Sequence, residues 1–429
     1  MSEAQPQPQN SPPKKDAGKI FMEELTGKKP GKGERRTLRG LLVPVLAIFT
    51  GLVLGALVIL FTSPEFFAAF QISLWEGLKK GWEIISITYG ALFTGAFGSP
   101  TAIVTALASG DVAAIREAFY PLLESLVATA PYIFGGLSVA PGFRVGLFNI
   151  GGEGQLFLGA IFSAFVGYSL TGLPAFIHMP LAFLAGALGG AIWGFIPGIL
   201  KAKTGTHEVI NTIMLNYVAY RLSDWLLTGP MQRPDSFNPV TPVIQESAKL
   251  TRIFPPPTRL HLGFFLALLV AWLVYWLLWK TKWGFALRMV GENPRAARYA
   301  GASVVMGTVM GMTLAGALAG LAGANEVLGV NYFMAMAFSS GYGFDSIAIA
   351  LLGNTQPLGV VLSALMFGAL RNGATLMQVK GGIPIDIVSI VQALVLVFVA
   401  APAIIRTIYR VREPAIEEKP TLATTTGGE

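Results

Sequence analysis

The residues best suited to chemistry lie in three short polar stretches, each beside a long apolar run. The first is Arg144-Val145-Gly146-Leu147-Phe148-Asn149-Ile150-Gly151-Gly152-Glu153-Gly154-Gln155. Three glycines in four positions weaken a helix by about 1 kcal/mol each relative to alanine, so regular structure is expected to break here. Glu153 is the lone acid of its neighbourhood, and an acid at the centre of a membrane helix costs on the order of 2.5–3.5 kcal/mol. Broken backbone at membrane depth persists only where protein buries it or a polar cavity faces it. Asn149, Glu153 and Gln155 therefore suit the lining or bracing of a polar passage. The competing role for Glu153 is a cap on backbone N–H groups in the first turn of a helix that starts near the membrane surface.

The second stretch runs from Gly291 to Gly301. Asn293 suits an N-cap, Pro294 the first helical position and Gly301 the residue after the last turn. This spacing predicts a two-turn helix with Ala296, Ala297 and Ala300 on one small-residue face and Arg295 and Arg298 on another. Such a face admits close approach of a partner, and the arginines could steer an acidic one. A helix lying along the membrane surface with no partner is the alternative. The third stretch, Phe338 to Asn354, holds Gly341-Tyr342-Gly343-Phe344-Asp345 before an eight-residue apolar piece. Eight residues rise only about 12 Å as helix, so this span must include irregular chain upstream. Interrupted segments in each half of a chain point to a transport pathway. Tyr332, Phe333, Phe338, Tyr342 and Phe344 could stack on a planar ligand or serve as packing aromatics.

The elements that must position these residues follow from composition. Of 429 residues, 53% are apolar and 13% charged, about half the charge of an ordinary soluble domain. Mean hydropathy is +0.59 and there are 50 glycines, a residue favoured where helices pack closely in lipid. The expected class is an all-α polytopic membrane protein. With no cysteine, disulfides, thiolate nucleophiles and cysteine metal sites are excluded. His178, His207 and His261 show no ligand spacing, so no metal site is expected. Gly27 to Gly33 resembles a phosphate-binding loop but is one residue short and ends in Gly33, where Ser or Thr is required. No catalytic residues are expected, and no nucleotide or other cofactor bound by this chain.

Charge-free runs mark the spans. Leu41–Phe61 is 21 residues long, follows 40 residues and exceeds a signal-peptide core of roughly 7–15, so it is read as a retained membrane helix. Residues 62–118 are expected outside the membrane or at its interface. Pro121–Pro141 comes next. The 47 uncharged residues from Gly154 to Leu200 hold two helices turned near Thr171-Gly172-Leu173-Pro174. Val209–Leu227, Leu262–Trp279, Ala302–Asn325, Ser346–Gly353, Pro357–Leu370 and Ile387–Ile405 bring the expectation to about ten crossings, some of them broken or re-entrant. Residues 1–40 carry nine Lys/Arg against five Asp/Glu, and loop 280–301 carries five against one. The positive-inside rule then puts both termini in the cytoplasm. On this reading 1–40 is a basic, disordered cytoplasmic tail with no nucleic-acid partner, 41–407 the membrane domain and 408–429 a second cytoplasmic tail.

Four blocks carry a resemblance: Phe148–Gln155, Glu208–Tyr217, Val290–Gly301 and Gly343–Gly353. Together they resemble permease subunits of bacterial ABC importers in the branched-chain amino acid and ribose permease superfamily. Within it the likeness is greatest to nucleoside or simple-sugar permeases that work with a BMP-type lipoprotein. It covers about residues 120–405 in the same order. The resemblance implies a subunit paired with a second, related permease, two ATP-binding cassette subunits holding ATP and magnesium, and a binding lipoprotein outside a bacterial plasma membrane. It implies a small-molecule pathway near Phe148, Asn149, Glu153, Gln155, Asn211, Asn216, Tyr342, Phe344 and Asp345. It also makes loop 280–301 the ATPase-coupling loop, with Glu292, Asn293, Arg295, Ala296, Ala297, Arg298, Ala300 and Gly301 as its contacts. His207, Ser346 and Pro141 depart from the family pattern and bear on the cargo, with sugars and branched-chain amino acids as alternatives. From a different class, an ion-coupled transporter would use Glu153, Asp224, Asp345 and Asp386.

Overall fold

The computed structural model describes residues 33–410 apart from Asp235 and Ser340. The tails expected over 1–40 and 408–429 lie outside the described residues up to residue 32 and beyond residue 410. The described residues form two units, 33–47 with 402–410, and Ile48–Ala401. All regular structure among them is helical, with two isolated antiparallel bridges, Val240 to Ala335 and Arg252 to His261.

The chain begins with α1 (Gly33–Thr62), α2 (Pro64–Ile72), α3 (Leu74–Phe97), α4 (Pro100–Ser109) and α5 (Val112–Arg144). Local chemistry sets their starts. The Ser73 side chain accepts from Glu76 N ahead of α3, and Asp111 accepts from Ala113 N and Ala114 N ahead of α5, which satisfies N–H groups that a helix leaves unpaired. The 62–118 segment thus holds α2, α3, α4 and the first turns of α5. The last turns of α3 are packed, because Ser125 Oγ donates to Ala96 O at 2.7 Å. Trp75 and Trp82, at the start of α3, are exposed.

Next come α6 (Gly152–Ser169), α7 (Ala175–Thr204), α8 (Glu208–Thr228), α9 (Gly263–Lys280), α10 (Lys282–Glu292) and α11 (Pro294–Tyr299). The last group is α12 (Val304–Asn325), α13 (Tyr342–Leu352), α14 (Pro357–Gly381), α15 (Ile385–Ala400) and α16 (Pro402–Ile408). A π-helical turn, Glu326–Asn331, extends α12; such turns widen the backbone ladder and recur at functional sites. Among the described residues six helices are long and apolar enough to cross a membrane, namely α1 (from Val45), α5, α7, α9, α12 with its π turn, and α14. A seventh arises if α3 and α4, bent by 41°, count together. By length and composition these helices are candidate membrane crossings.

The core is built around α12, which packs on α5, α6 and α7. Its contact with α7 brings backbones together: a side-chain carbon on Gly190 would sit 2.1 Å from Gly316 O. Small residues at such crossings are how helices associate where lipid is as apolar as leucine. The 229–262 segment lies over the irregular chain after α12, with Thr241 N donating to Met334 O, Ile244 N to Tyr332 O and Leu250 N to Leu328 O, each at 2.9 Å. Those bonds satisfy backbone groups that no helix provides for. Asn372 on α14 ties three helices, donating to Gly95 O at 2.8 Å and Pro121 O at 2.9 Å.

Candidate functional site

The break after α5 forms where the glycines predict it, and side chains hold it. Gly146 turns the chain with φ +77. Asn149 accepts from Gly151 N at 2.9 Å and donates to Gln155 Oε1 at 2.9 Å. Asn216, reaching from α8, accepts from Gly154 N at 2.8 Å and donates to Ile150 O at 3.0 Å. Asn149, Gln155 and Asn216 are all buried, so these amides replace the hydrogen bonds that the interrupted helix lacks. They brace the break.

Glu153 is only 2% exposed, and its Oε2 accepts from Gly343 N at 2.6 Å. It caps a helix, and the helix is a distant one. Gly341, with φ +90, precedes α13, and the free N–H groups of its first turn make a partial positive charge that suits a carboxylate. A side-chain carbon on Gly343 would lie 2.3 Å from Glu153 N, so only glycine permits this approach. The first and third polar stretches therefore meet. The apolar piece expected at Ser346–Gly353 is a longer helix because this cap starts it four residues earlier, at Tyr342.

One turn into α13, the Tyr132 hydroxyl donates to Asp345 Oδ2 at 2.9 Å and accepts from Arg371 Nη1 at 2.9 Å. The Arg371 guanidinium lies 4.8 Å from the Tyr342 ring centre. Phe344 is exposed and Tyr342 half-buried. Phe148 packs against Phe143, ring centres 5.2 Å apart. Asn211 stands apart from this group and donates to Thr206 Oγ1 at 2.8 Å between α7 and α8. Of the other aromatics, Phe338 packs on Phe157 at 4.9 Å, and Tyr332 accepts from Arg252 Nε at 2.9 Å.

Beside the same C-terminal end of α5, Asn293 Oδ1 accepts from Arg295 N and Ala296 N, both at 3.0 Å, and Pro294 opens α11. Gly301 has φ +83. The helix is six residues long, shorter than the expected two turns, because Ala300 and Gly301 belong to its cap. The three alanines do not share one open face. Ala297 is 1% exposed and turned inward, whereas Ala296 and Ala300 are exposed with Glu292, Arg295 and Arg298. A groove of ≈590 Å³ runs beside them, lined also by Phe143, Arg144 and Phe285. Gly291 lies hard against α5: a side-chain carbon there would be 2.1 Å from Arg144 O. The groove is thus joined to the turn that leads to Glu153.

Some polar groups escaped the sequence reading. Glu124 on α5 is buried and accepts from Arg259 N at 3.2 Å and Arg259 Nε at 2.9 Å. The Glu124 carboxylate holds the Arg259 guanidinium above its ordinary range. His261 is buried, and burial pushes its imidazole down to about 4, helped by the charges of Arg252 and Arg259. Arg371 and Tyr132 were also missed. The available signal was that Glu124 and Arg371 are isolated charges inside runs otherwise apolar.

Residues 122–400 match the family described as branched-chain amino acid transport system / permease component, and the chain belongs to that family. It is 40% identical to the guanosine ABC transporter permease protein NupP of Bacillus subtilis over 86% of this chain and 96% of that protein. It is 34% identical to the nucleoside ABC transporter permease protein NupB of Lactococcus lactis over 86% and 92%. It is 36% identical to the glucose ABC transporter permease protein TsgB13 of Haloferax volcanii over 71% and 87%. No solved structure matches the chain significantly.

Proposed function

We propose that this chain is the membrane subunit of a binding-protein-dependent ABC importer that carries nucleosides inward by alternating access. A separate ATPase subunit binds ATP and magnesium and supplies the energy; this chain has no catalytic residues and binds no cofactor. The observation that carries the reading is the short capped helix α11 beside an open groove, with Gly291 pressed on the end of α5. A docking element needs an exposed rigid face and a contact into the membrane part, and this one has both. Ala296, Ala300, Glu292, Asn293, Arg295 and Arg298 are its docking contacts, with Gly301 ending the turn; Ala297 anchors it from inside.

Nucleosides are favoured as cargo because NupP and NupB are named for guanosine and nucleoside transport. TsgB13 is named for glucose, which keeps simple sugars as the second cargo, with branched-chain amino acids behind. Tyr342, Phe344, Asp345 and Phe148 contribute to the pathway. Asn149, Glu153, Gln155 and Asn216 shape it from behind, and Asn211 lies at its cytoplasmic edge. The pathway runs between this chain and a second, related permease, and an extracytoplasmic binding lipoprotein delivers the solute.

In a bacterial plasma membrane, the six long helices with α6, α8, α15 and the broken α13 make ten crossings and leave both termini cytoplasmic. Segment 62–118 then lies on the outer side, with Trp75 and Trp82 at the lipid interface. The ion-coupled alternative has less support: Asp224 pairs with Arg221 at 3.4 Å and Glu153 is occupied as a cap. Uptake of labelled purine and pyrimidine nucleosides, in cells expressing the transporter with its partners, tests the reading. Block by vanadate and resistance to a protonophore at maintained ATP are expected. Protonophore block without vanadate sensitivity would overturn it.

A further inference from the structure

We propose that Arg371 and Tyr132 form a latch on Asp345 that the passing solute displaces, and that this latch selects uncharged solutes bearing hydroxyl groups. The inference rests on the reading of Asp345 as a pathway residue and adds what that pathway accepts. Three observations carry it.

The first is location. Arg371 sits in the middle of α14 and Tyr132 inside α5, both helices long and apolar enough to cross a membrane. The Asp345 and Arg371 side chains are nevertheless 37% and 31% exposed. Charged groups at that depth face a bundle interior or a water-filled cavity, not lipid. The surface that bears them is therefore a polar one, and Phe344, also exposed, adds an aromatic face beside it.

The second is geometry. A tight Arg–carboxylate pair is bidentate, with contacts of about 2.7–2.9 Å. Here Arg371 Nη1 stands 3.8 Å from Asp345 Oδ2, and the Tyr132 hydroxyl bridges the gap with two bonds of 2.9 Å. The carboxylate is thus held by one O–H donor and retains acceptor capacity. A solute with neighbouring hydroxyls can offer two O–H donors to the same carboxylate and release Tyr132. Because Tyr132, Asp345 and Arg371 stand on α5, α13 and α14, that release unties three helices.

The third is charge. The guanidinium offsets the Asp345 carboxylate while the solute passes, and the buried Glu326 and Glu153 also lie within electrostatic reach of the group. A neutral solute leaves this balance intact. A cation drawn to Asp345 crowds the Arg371 guanidinium that already offsets this carboxylate, an anion drawn to Arg371 crowds Asp345, and like charges at close range repel. The Tyr342 ring under Arg371, at 4.8 Å, keeps the guanidinium in place while Tyr132 moves, since a cation over an aromatic face is held by the ring quadrupole.

The test is competitive uptake of neutral adenosine against the cationic nucleoside 1-methyladenosine, in cells carrying the complete transporter. The wild type should prefer adenosine. Arg371→Gln should narrow that preference at least tenfold, and Arg371→Lys should restore most of it, a pattern that loss of folding does not produce. Tyr132→Phe keeps the ring and both charges, and should change KM for adenosine at least threefold with little change in preference. If Arg371→Gln does not assemble, the Tyr132→Phe measurement decides. An unchanged preference in an assembled Arg371→Gln transporter, or an unchanged KM in Tyr132→Phe, overturns the latch. Should the wild type take up glucose and no nucleoside, the nucleoside reading falls, and glucose against cationic glucosamine decides the latch by the same ratios.

Discussion

Glu153 separates the ATP-driven reading from its ion-coupled rival more sharply than any other residue. Its carboxylate is 2% exposed and accepts a backbone bond from Gly343 N at 2.6 Å. A hydrogen bond to a charged group contributes about 1.5–3 kcal/mol and a neutral one about 0.5–1.5. Glu153→Gln keeps the side-chain length and an acceptor oxygen, so it should cost about 1–1.5 kcal/mol. Glu153→Ala removes the acceptor from a buried N–H and leaves a void, about 3 kcal/mol in all. Local opening at the start of α13 then rises roughly tenfold in the first variant and more than a hundredfold in the second.

Thermal unfolding of the purified permease and initial rates of nucleoside uptake should both rank wild type, Gln, Ala. Glu153→Gln should keep most of its uptake, because α13 still starts at Tyr342. A proton- or ion-carrying acid behaves differently: its amide is as inactive as its alanine variant, however well the protein folds. A Glu153→Gln permease of near wild-type stability and no uptake would therefore refute the capping role.

Four further outcomes follow from the geometry. Ala296→Arg, on the exposed face of the groove, should leave folding intact and break the link between ATP hydrolysis and uptake, whereas Ala297→Arg, at a position 1% exposed, should lower expression and thermal stability; equal coupling in Ala296→Arg and wild type would remove α11 from the docking site. Gly291→Ala places a carbon 2.1 Å from Arg144 O, so ATPase stimulation by substrate should fall severalfold in reconstituted vesicles while ATP hydrolysis by the free ATPase subunit is untouched. Arg259→Ala strands the buried Glu124 carboxylate; because Arg259 is itself half exposed, the loss should be about 2–3 kcal/mol, below the ~3–5 of a fully buried pair, read as a lowered denaturation midpoint. His261 is held near 4, below its unfolded value of about 6.5, so between those pH values the unfolded chain binds a proton that the folded chain does not; stability should fall by about 3 kcal/mol as pH drops from 6.5 to 4 and then level off, and His261→Asn should flatten that limb.

What the sequence makes legible is local. The Asn293 cap, the Pro294 start and the Gly301 exit depend on neighbours within a few residues, and all three form as read. The break at Arg144–Gln155 is legible for the same reason, since clustered glycines weaken a helix wherever it sits. The inward turn of Ala297 is not, because in a helix of six residues one step decides which alanine faces α12. Nor is the partner of Glu153. Its bond to Gly343 crosses 190 residues, and the sequence shows only an acid that needs a donor and a helix start that needs an acceptor. Nor is Arg371 legible, because the apolar run Pro357–Leu370 stops just before it, although α14 continues ten residues beyond it to Gly381.

The long-range contacts matter because they leave little slack between the groove at Gly291 and Arg371 on α14. Gly291 cannot move toward α5 without meeting the Arg144 carbonyl, and Asn149, Gln155 and Asn216 pin the turn that follows Arg144. That turn delivers Glu153, whose carboxylate fixes the first turn of α13. Asp345 lies two residues past the capped amide of Gly343 and is tied through Tyr132 to Arg371 on α14. Each link is a hydrogen bond or a backbone contact too close to absorb a shift of an ångström. On the proposed function such stiffness is required, because work done at the proposed docking groove would reach a solute in mid-membrane only through elements that move together. The glycines serve the same end: at Gly291 and Gly343 any larger residue would push the linked segments apart.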